Sequence, residues 1–587
     1  MTHAAHLAAL RAELVRRDLD GFLVPRADEH LGEYVPPNAE RLAWVSGFTG
    51  SAGLAVVLRD RAVLFTDGRY TLQAASQTDP ALWLRAHITE EPPTGWLKAH
   101  APGLRIGYDP LLHSADGVAG FVRAGVTLVP QATNPVDAVW TGRPAPPAAP
   151  AQVHDLRFAG KPASEKRAEI AAALREAGQD AAVLTDPASI CWLLNIRGGD
   201  VDFTPFLLGF GIVHADAHVD LICDPAKLGP EVRAHLGNTV GVRPRAELGA
   251  ALDALAGKTV RVDASGSPVW FAQRLKDAGA TVADGDDPCS LPRACKNATE
   301  QAGARAAHAR DAVAVCRFLR AMESAAGRET EMSVAARLVA LRAEQADFRG
   351  ESFPAISGSG EDGAIIHYRV SAETDRPIRP NEAYLCDSGA QYLDGTTDIT
   401  RTVWTGPDAP PTELRDRFTR VLKGHIALAT LRFPRGVAGQ HIDTLARRAL
   451  WEAGLDFDHG TGHGVGSFLS VHEGPARISR AGKPVPLAPG MILSNEPGYY
   501  KPGAYGIRLE NLLLVREADP GENGRVFHDF ETLTLAPFDR RLVDVALLTA
   551  EERAWLDAYH ARVAREVGPN LPDAADRAWL EAACAKL

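Results

Sequence analysis

The sequence predicts two similar α/β domains followed by an α+β domain, and three observations carry that prediction. Two stretches repeat the order helix, strand, aromatic-bearing segment; breaks in composition separate the parts; and beyond the second break hairpin-like strands with Gly-rich turns take over. At 587 residues the chain also exceeds what one hydrophobic core usually organises, so two to four domains are expected.

The first domain is assigned to residues 1–145. Residues 11–24 (RAELVRRDLDGFLV) read as helix then strand, and residues 41–48 (RLAWVSGF) follow as the aromatic segment. Residues 141–150 (TGRPAPPAAP) cluster Pro and Ala and can continue neither a helix nor a central strand, so they read as a linker. The second domain, residues 151–292, repeats the grammar with residues 166–184 (KRAEIAAALREAGQDAAVL), where Gly178 marks the helix stop, and with residues 189–196 (SICWLLNI). A second boundary falls at residues 287–296 (DPCSLPRACK), ahead of an Ala-rich helix predicted over 299–326. The third domain is assigned to residues 296–587.

Charge and cysteine usage exclude several classes. The balance of 63 basic and 74 acidic residues, net -11 and without a Lys/Arg-rich run, argues against nucleic acid as a partner. Seven cysteines, an odd number without a CxxC pair, suit free thiols in a reducing compartment. The first two dozen residues carry Arg and Glu through their apolar positions, unlike a signal peptide, and no run of apolar residues is long enough to span a bilayer. The expectation is a cytoplasmic protein with no membrane partner.

The chemistry concentrates in the third domain. Asp387 and Asp398 lie in LCDSGAQYLDGTTDITRTV, which reads as a hairpin. A loop centred between Tyr392 and Leu393 would put them directly opposite, whereas a two-residue turn at Asp394-Gly395 would stagger them. A shared metal role therefore predicts a longer loop or a bulge. Taken alone, the pair also fits ordinary turn aspartates. In NEPGYYKPGAYGIRLEN, Glu496 and Glu510 are equidistant from Gly503, so a hairpin folded there sets the carboxylates across from each other. Their apolar flanks bury them, and a buried carboxylate needs a cation or a hydrogen-bonded partner. Arg508 is an alternative, structural partner for Glu510. Between the hairpins, HGTGHGVGSFLSVHEGP holds His459, His463 and His472 among five glycines, which allow close backbone approach and positive φ. The glycines exclude the helix of an HExxH zinc site, whose catalytic Glu is also absent. Four carboxylates and at least one imidazole suit Mn, Co, Fe or Zn with bridging oxygens. Two such ions could share a hydroxide made nucleophilic at neutral pH, which points to hydrolysis.

The order DSGAQYLDGTTDITRT, HGTGHGVG, VHEGP, NEPGYY and GIRLEN, together with SGFTGSAG and TDGRYTLQA near the start and the closing RRLVDVALLTAEERAWLDAYHARV, resembles the pita-bread metallopeptidases. Within them it is similar to the Xaa-Pro aminopeptidases of the long, three-domain cytosolic type, over essentially the whole chain. The resemblance implies a C-terminal α+β pita-bread catalytic domain preceded by two similar α/β domains, and two divalent metal ions, manganese first with zinc or cobalt as alternatives. It implies that Asp387 binds one metal, that Asp398 and Glu510 bridge both, and that His463 and Glu496 complete the other. Glu496 would accept a proton as a metal-bridging hydroxide attacks the Xaa-Pro bond. His367, His459 and His472 match catalytic, substrate-side positions, Tyr500 and Arg508 match substrate-side positions, and Arg69 resembles a first-domain residue that reaches toward the substrate. Peptides with proline in second place would be the substrates, and a homodimer the assembly. Prolidases share the metal set but normally lack a third domain, methionine aminopeptidases lack the paired N-terminal domains, and a catalytically dead binding module would have lost ligands that are all present here.

Overall fold

The computed structural model describes residues 2–587 and divides into two compact units, one reaching to Leu156 and continuing with Lys161–Ser290, the other formed by Arg157–Gly160 and Leu291–Leu587. The first unit holds two six-stranded sheets of one topology. One runs in the order Leu84–His87, Ala62–Thr66, Leu54–Leu58, Gly21–Pro25, Arg105–Tyr108, Thr127–Pro130. The other runs Val240–Arg243, Val219–Ile222, Phe210–His214, Ala181–Leu184, Thr259–Val262, Thr281–Asp284. In each, the strand in fourth place pairs antiparallel on one side and parallel on the other.

Each of those two strands follows a helix, His3–Arg16 or Ala163–Glu176, and precedes a short aromatic-bearing helix, Arg41–Ser46 or Pro187–Leu194. The repeat legible in sequence is thus a repeat of topology. Gly178 ends the Ala163–Glu176 helix at φ 67°, a left-handed position that costs a residue without Cβ least. Residues 141–150 contain neither helix nor strand.

In the second unit the helix Ala298–Met322 opens with a capping box between Asn297 and Glu300. It stops short of the predicted residue 326. Past it the chain reverses through Gly327 at φ 73°, whose amide donates to the Ile378 carbonyl at 2.8 Å.

A six-stranded sheet orders Phe433–Pro434, Phe527–Thr532, Asn511–Ala518, Ile492–Asn495, Gly462–Gly464 and Glu473–Ile478. A three-stranded sheet orders Ile356–Ser359, Ala383–Ser388 and Ile399–Trp404. The run Leu512 to Val515 is apolar throughout because both faces of its strand are covered. Leu512 and Leu514 pack with Val465 and Ala304, while Leu513 and Val515 pack with Leu428 and Ala446 from the helices Thr412–Ala429 and Gly439–Trp451. Among the described residues no helix is long and apolar enough to cross a membrane, and all seven cysteines are free thiols.

Candidate metal centre

Three backbone segments meet where their own strand pairing lapses. The strands Gly498–Lys501 and Tyr505–Arg508 pair with Gly498 opposite Arg508, and farther along the same two chain segments Asn495 stands opposite Asn511. One register runs through both ladders about Gly503, itself at φ 70°, so Glu496 and Glu510 oppose each other as their spacing predicts. Between the ladders their amides bond elsewhere. Glu496 N–H donates to Thr461 O at 2.8 Å, in the histidine segment, and Glu510 N–H donates to Thr400 O at 3.1 Å, beside Asp398. The site is therefore stitched together by main-chain bonds before any side chain is considered.

The aspartate hairpin corrects the sequence expectation. It needs no long loop, because Tyr392 pairs with Gly395 across a tight turn at Leu393-Asp394. Asp387 stands opposite Thr400, so Asp398 is its diagonal neighbour two residues back on the same face. Diagonal side chains on one face still reach each other.

The glycine segment also differs from expectation. None of the glycines from Gly460 to Gly474 has positive φ. Gly462 and Gly464 are required because protein backbone comes close to them. A Cβ on Gly462 would lie 2.0 Å from Ser494 O, and one on Gly464 would lie 2.2 Å from Glu473 O. That contact lets the strand Gly462–Gly464 slot into the sheet and aim His463 inward.

The side chains converge accordingly. His463 Nε2 lies 3.5 Å from Asp398 Oδ2 and 3.4 Å from Glu496 Oε1. Its Nδ1 is 3.0 Å from Gly464 O, and its amide donates to Ser494 Oγ at 2.9 Å, which in turn donates to Glu496 Oε1 at 3.0 Å. An N–H at Nδ1 bonded to the carbonyl leaves Nε2 as a lone pair facing the carboxylates, the form a metal needs. Thr400 Oγ1 donates to Glu510 Oε2 at 2.8 Å. Asp398, His463 and Glu510 each offer a ligand atom within 4.8 Å of the others.

Asp387 is held by Arg508, whose Nη2 donates to Oδ2 at 2.6 Å while Nη1 donates to Tyr500 Oη at 2.6 Å. Arg508 is thus the partner of Asp387 rather than of Glu510. His459 Nε2 stands 2.8 Å from Tyr500 Oη, and its Nδ1 is 4.0 Å from Glu496 Oε2. His472 packs edge-on against His463, with ring centroids 4.3 Å apart.

This donor set fits divalent cations. Asp387 Oδ1, Asp398 Oδ1 and Glu510 Oε1 are buried and accept no hydrogen bond, an arrangement that costs free energy unless a cation faces them. Burial first, then the neighbouring Glu510 and Asp387 carboxylates, pushes Asp398 well above the usual carboxylate range, and burial with Asp387 and Glu496 does the same to Glu510. Burial pushes Glu496 up to about 7 against the opposing pull of Arg508. Carboxylates crowded until they resist ionising are the electrostatic signature of a site that a positive charge completes.

His367 sits half-buried in a segment that follows the turn Gly360–Ala364. The next residue, Tyr368, donates its hydroxyl to Glu331 Oε2 at 2.9 Å, and Ser359 N–H donates to Glu331 Oε1 at 2.6 Å. Burial pushes the Glu331 carboxyl up to about 8, and Asp362 adds to the shift. A folded-state value above the unfolded one means that stability is fullest below about 4.5 and is lost as pH rises toward 8. Glu331→Gln is therefore expected to flatten the fall in urea midpoint between pH 5.5 and 8. An undiminished fall in that variant would show that Glu331 is not its source.

Arg69 lies in the other compact unit, where its guanidinium donates to both oxygens of Asp67 at 2.9 and 2.7 Å. Thr400 and Ser494, which orient the groups above, carry no spacing that singles them out in the sequence.

Known proteins resemble this chain throughout its length. The model of metallopeptidase family M24 matches residues 302–517 and that of the C-terminal region of peptidase M24 matches 526–587, while two creatinase/prolidase N-terminal domain models match 6–132 and 142–300. Aminopeptidase P2 of Arabidopsis thaliana is 40% identical over 96% of this chain and 85% of its own length. A probable Xaa-Pro aminopeptidase P of Aspergillus fumigatus is 39% identical over 95% of this chain and 88% of its own. A crystal structure of an X-prolyl aminopeptidase from Caenorhabditis elegans, described as a cytosolic enzyme with a di-nuclear active site, superposes with a TM-score of 0.95 at 35% identity, covering 100% of both chains.

Proposed function

The chain belongs to metallopeptidase family M24, with a pita-bread catalytic part behind creatinase-type N-terminal domains, and from that premise we propose that it is a metal-dependent Xaa-Pro aminopeptidase. It releases the N-terminal residue from peptides whose second residue is proline. The observation that carries the metal-dependent reading is the convergence of Asp398 and Glu510 on one site with His463, with orphaned, buried carboxylate oxygens on both and on Asp387, whose charge acts on them.

Asp387, Asp398, His463, Glu496 and Glu510 would hold two divalent ions, manganese first. When bound, the ions supply Lewis acidity, acidifying water and polarising the scissile carbonyl. Glu496 is the proton acceptor. Its carboxylate is steadied by the Ser494 hydroxyl, which orients it to take a proton from water and pass it to the departing proline nitrogen. His367, His459 and His472 orient the peptide and stabilise charge on the attacked carbonyl. Tyr500, raised to about 12 by burial, stays protonated beside His459. Arg508 keeps its charge although burial opposes it, because Tyr500, Asp387 and Glu496 surround it.

An Xaa-Pro bond is a tertiary amide without an N–H, so proteases that grip that donor fail on it. A site that reads the free amine and the pyrrolidine ring avoids the problem. In this reading residues 1–145 and 151–292 form two α/β domains ahead of the catalytic residues 296–587, Arg69 serves the substrate side, and the protein works as a cytoplasmic homodimer. The purified protein is expected to bind about two divalent ions per chain, the number used by paired-metal hydrolases, and to hydrolyse Xaa-Pro peptides when manganese is supplied. Less than about one ion per chain, with no hydrolysis after manganese addition, contradicts the reading.

A further inference from the structure

We propose that Arg447, seated on Asp443, is a positioning residue that fixes the turn carrying His459. The inference rests on the reading of His459 as a substrate-side group.

Both residues lie on the helix Gly439–Trp451 and are buried, Arg447 at 1% and Asp443 at 0% exposure. All three guanidinium nitrogens are engaged. Nε donates to Asp443 Oδ2 at 2.7 Å, and Nη1 donates to Asp456 Oδ1 at 2.8 Å and to Phe457 O at 2.7 Å. Nη2 donates to His459 O at 2.7 Å and to Asp443 Oδ1 at 3.4 Å. A guanidinium has five N–H donors in a fixed plane, and here three of the bonds go to Asp456, Phe457 and His459 in one turn. Its carbon also lies 3.8 Å from the centroid of the Phe457 ring, which tilts against the His459 ring at 4.8 Å.

Asp443 secures the far end of the same turn, because Thr461 Oγ1 donates to its Oδ1 at 2.6 Å. Thr461 is the residue whose carbonyl receives the Glu496 amide. The turn is therefore clamped on both sides of His459, and from His459 a hydrogen-bonded chain leads through Tyr500 and Arg508 to Asp387. A buried ion pair is a poor device for stability alone, since apolar residues of equal volume serve as well. Its geometry here places an imidazole.

Arg447→Lys keeps the charge on Asp443 but has one nitrogen, which cannot reach Asp443, Phe457 O and His459 O together. We expect it to lower kcat/KM for an Xaa-Pro peptide about ten- to a hundredfold with metal content unchanged. In a His459→Ala background the same change is expected to lower it by less than about twofold, because its route of action is already gone. Wild-type activity in Arg447→Lys, or losses that multiply in the double variant, would overturn the proposal. If Arg447→Lys does not fold, the neutral combination Arg447→Gln with Asp443→Asn is read in the same cycle and by the same criteria. Full activity in His459→Ala alone would instead remove the substrate-side reading of His459, and this inference with it.

Discussion

Asp398→Asn is expected to lower kcat by at least about a thousandfold while leaving the chain folded, because under the proposed function it withdraws an anionic metal ligand worth several kcal/mol to the reaction. Asp398 is buried, stands 3.5 Å from His463 Nε2 and has one oxygen without a partner. An amide there turns a donor toward the place a cation must occupy. The fold should survive for an electrostatic reason. Asp398, Glu510 and Asp387 repel one another, as the raised Asp398 and Glu510 show, so a neutral side chain relieves the metal-free protein rather than straining it. Metal content, kcat and thermal midpoint measured together check this. Wild-type turnover would place the site elsewhere, and an unfolded variant would show that Asp398 serves structure first.

Arg508→Met is the second large effect, and it differs in kind. Arg508 is 2% exposed and joins Asp387, Tyr500 and Thr400 through one planar fork. Its loss leaves Asp387 buried without its counter-charge, which costs about 3–5 kcal/mol of stability in the metal-free protein. Bound metal should recover part of that loss, because a ligand that binds only the folded state stabilises it. Turnover is expected to fall about ten- to a hundredfold even when metal is restored, since Asp387 and Tyr500 are no longer oriented. Lysine should rescue little, having no fork to span them. Chemical denaturation with and without manganese, beside kcat/KM, separates the two losses. Unchanged stability without metal would show that Arg508 does not compensate Asp387.

The sequence made the architecture legible where local chemistry and pattern agree. The helix-then-strand repeat at residues 11–24 and 166–184 survives as two sheets of one topology, because amphipathic periodicity and a Gly stop are local signals. The Glu496–Glu510 pairing was legible because a hairpin's register follows from where it turns, and Gly503 marks that point. The aspartate hairpin was harder. Asp394-Gly395 is a strong turn signal, yet the chain turns one residue earlier, where Leu393 N–H donates to Asp347 O and Gly395 packs against Ala304 and Ala307. Tertiary contacts displaced the turn, and no local pattern reports them.

The glycines around His463 were read as allowing both positive φ and close backbone approach; positive φ is not used, and the approach at Gly462 and Gly464 is of Ser494 and Glu473, a non-local cause. Arg508 was weighed as an alternative partner for Glu510 on sequence proximity, whereas its partner is Asp387 on another hairpin. Arg447 and Asp443 passed unnoticed because an Asp and an Arg four apart on a helix are commonplace surface residues. Only burial sets them apart.

The most direct test of the account compares cleavage of Arg-Pro-Pro with cleavage of Arg-Ala-Ala in manganese-supplemented buffer. Release of arginine from the proline peptide, with the alanine peptide left largely intact, is the predicted result. Equal cleavage of both would contradict proline selectivity, and cleavage of neither would contradict the peptidase itself.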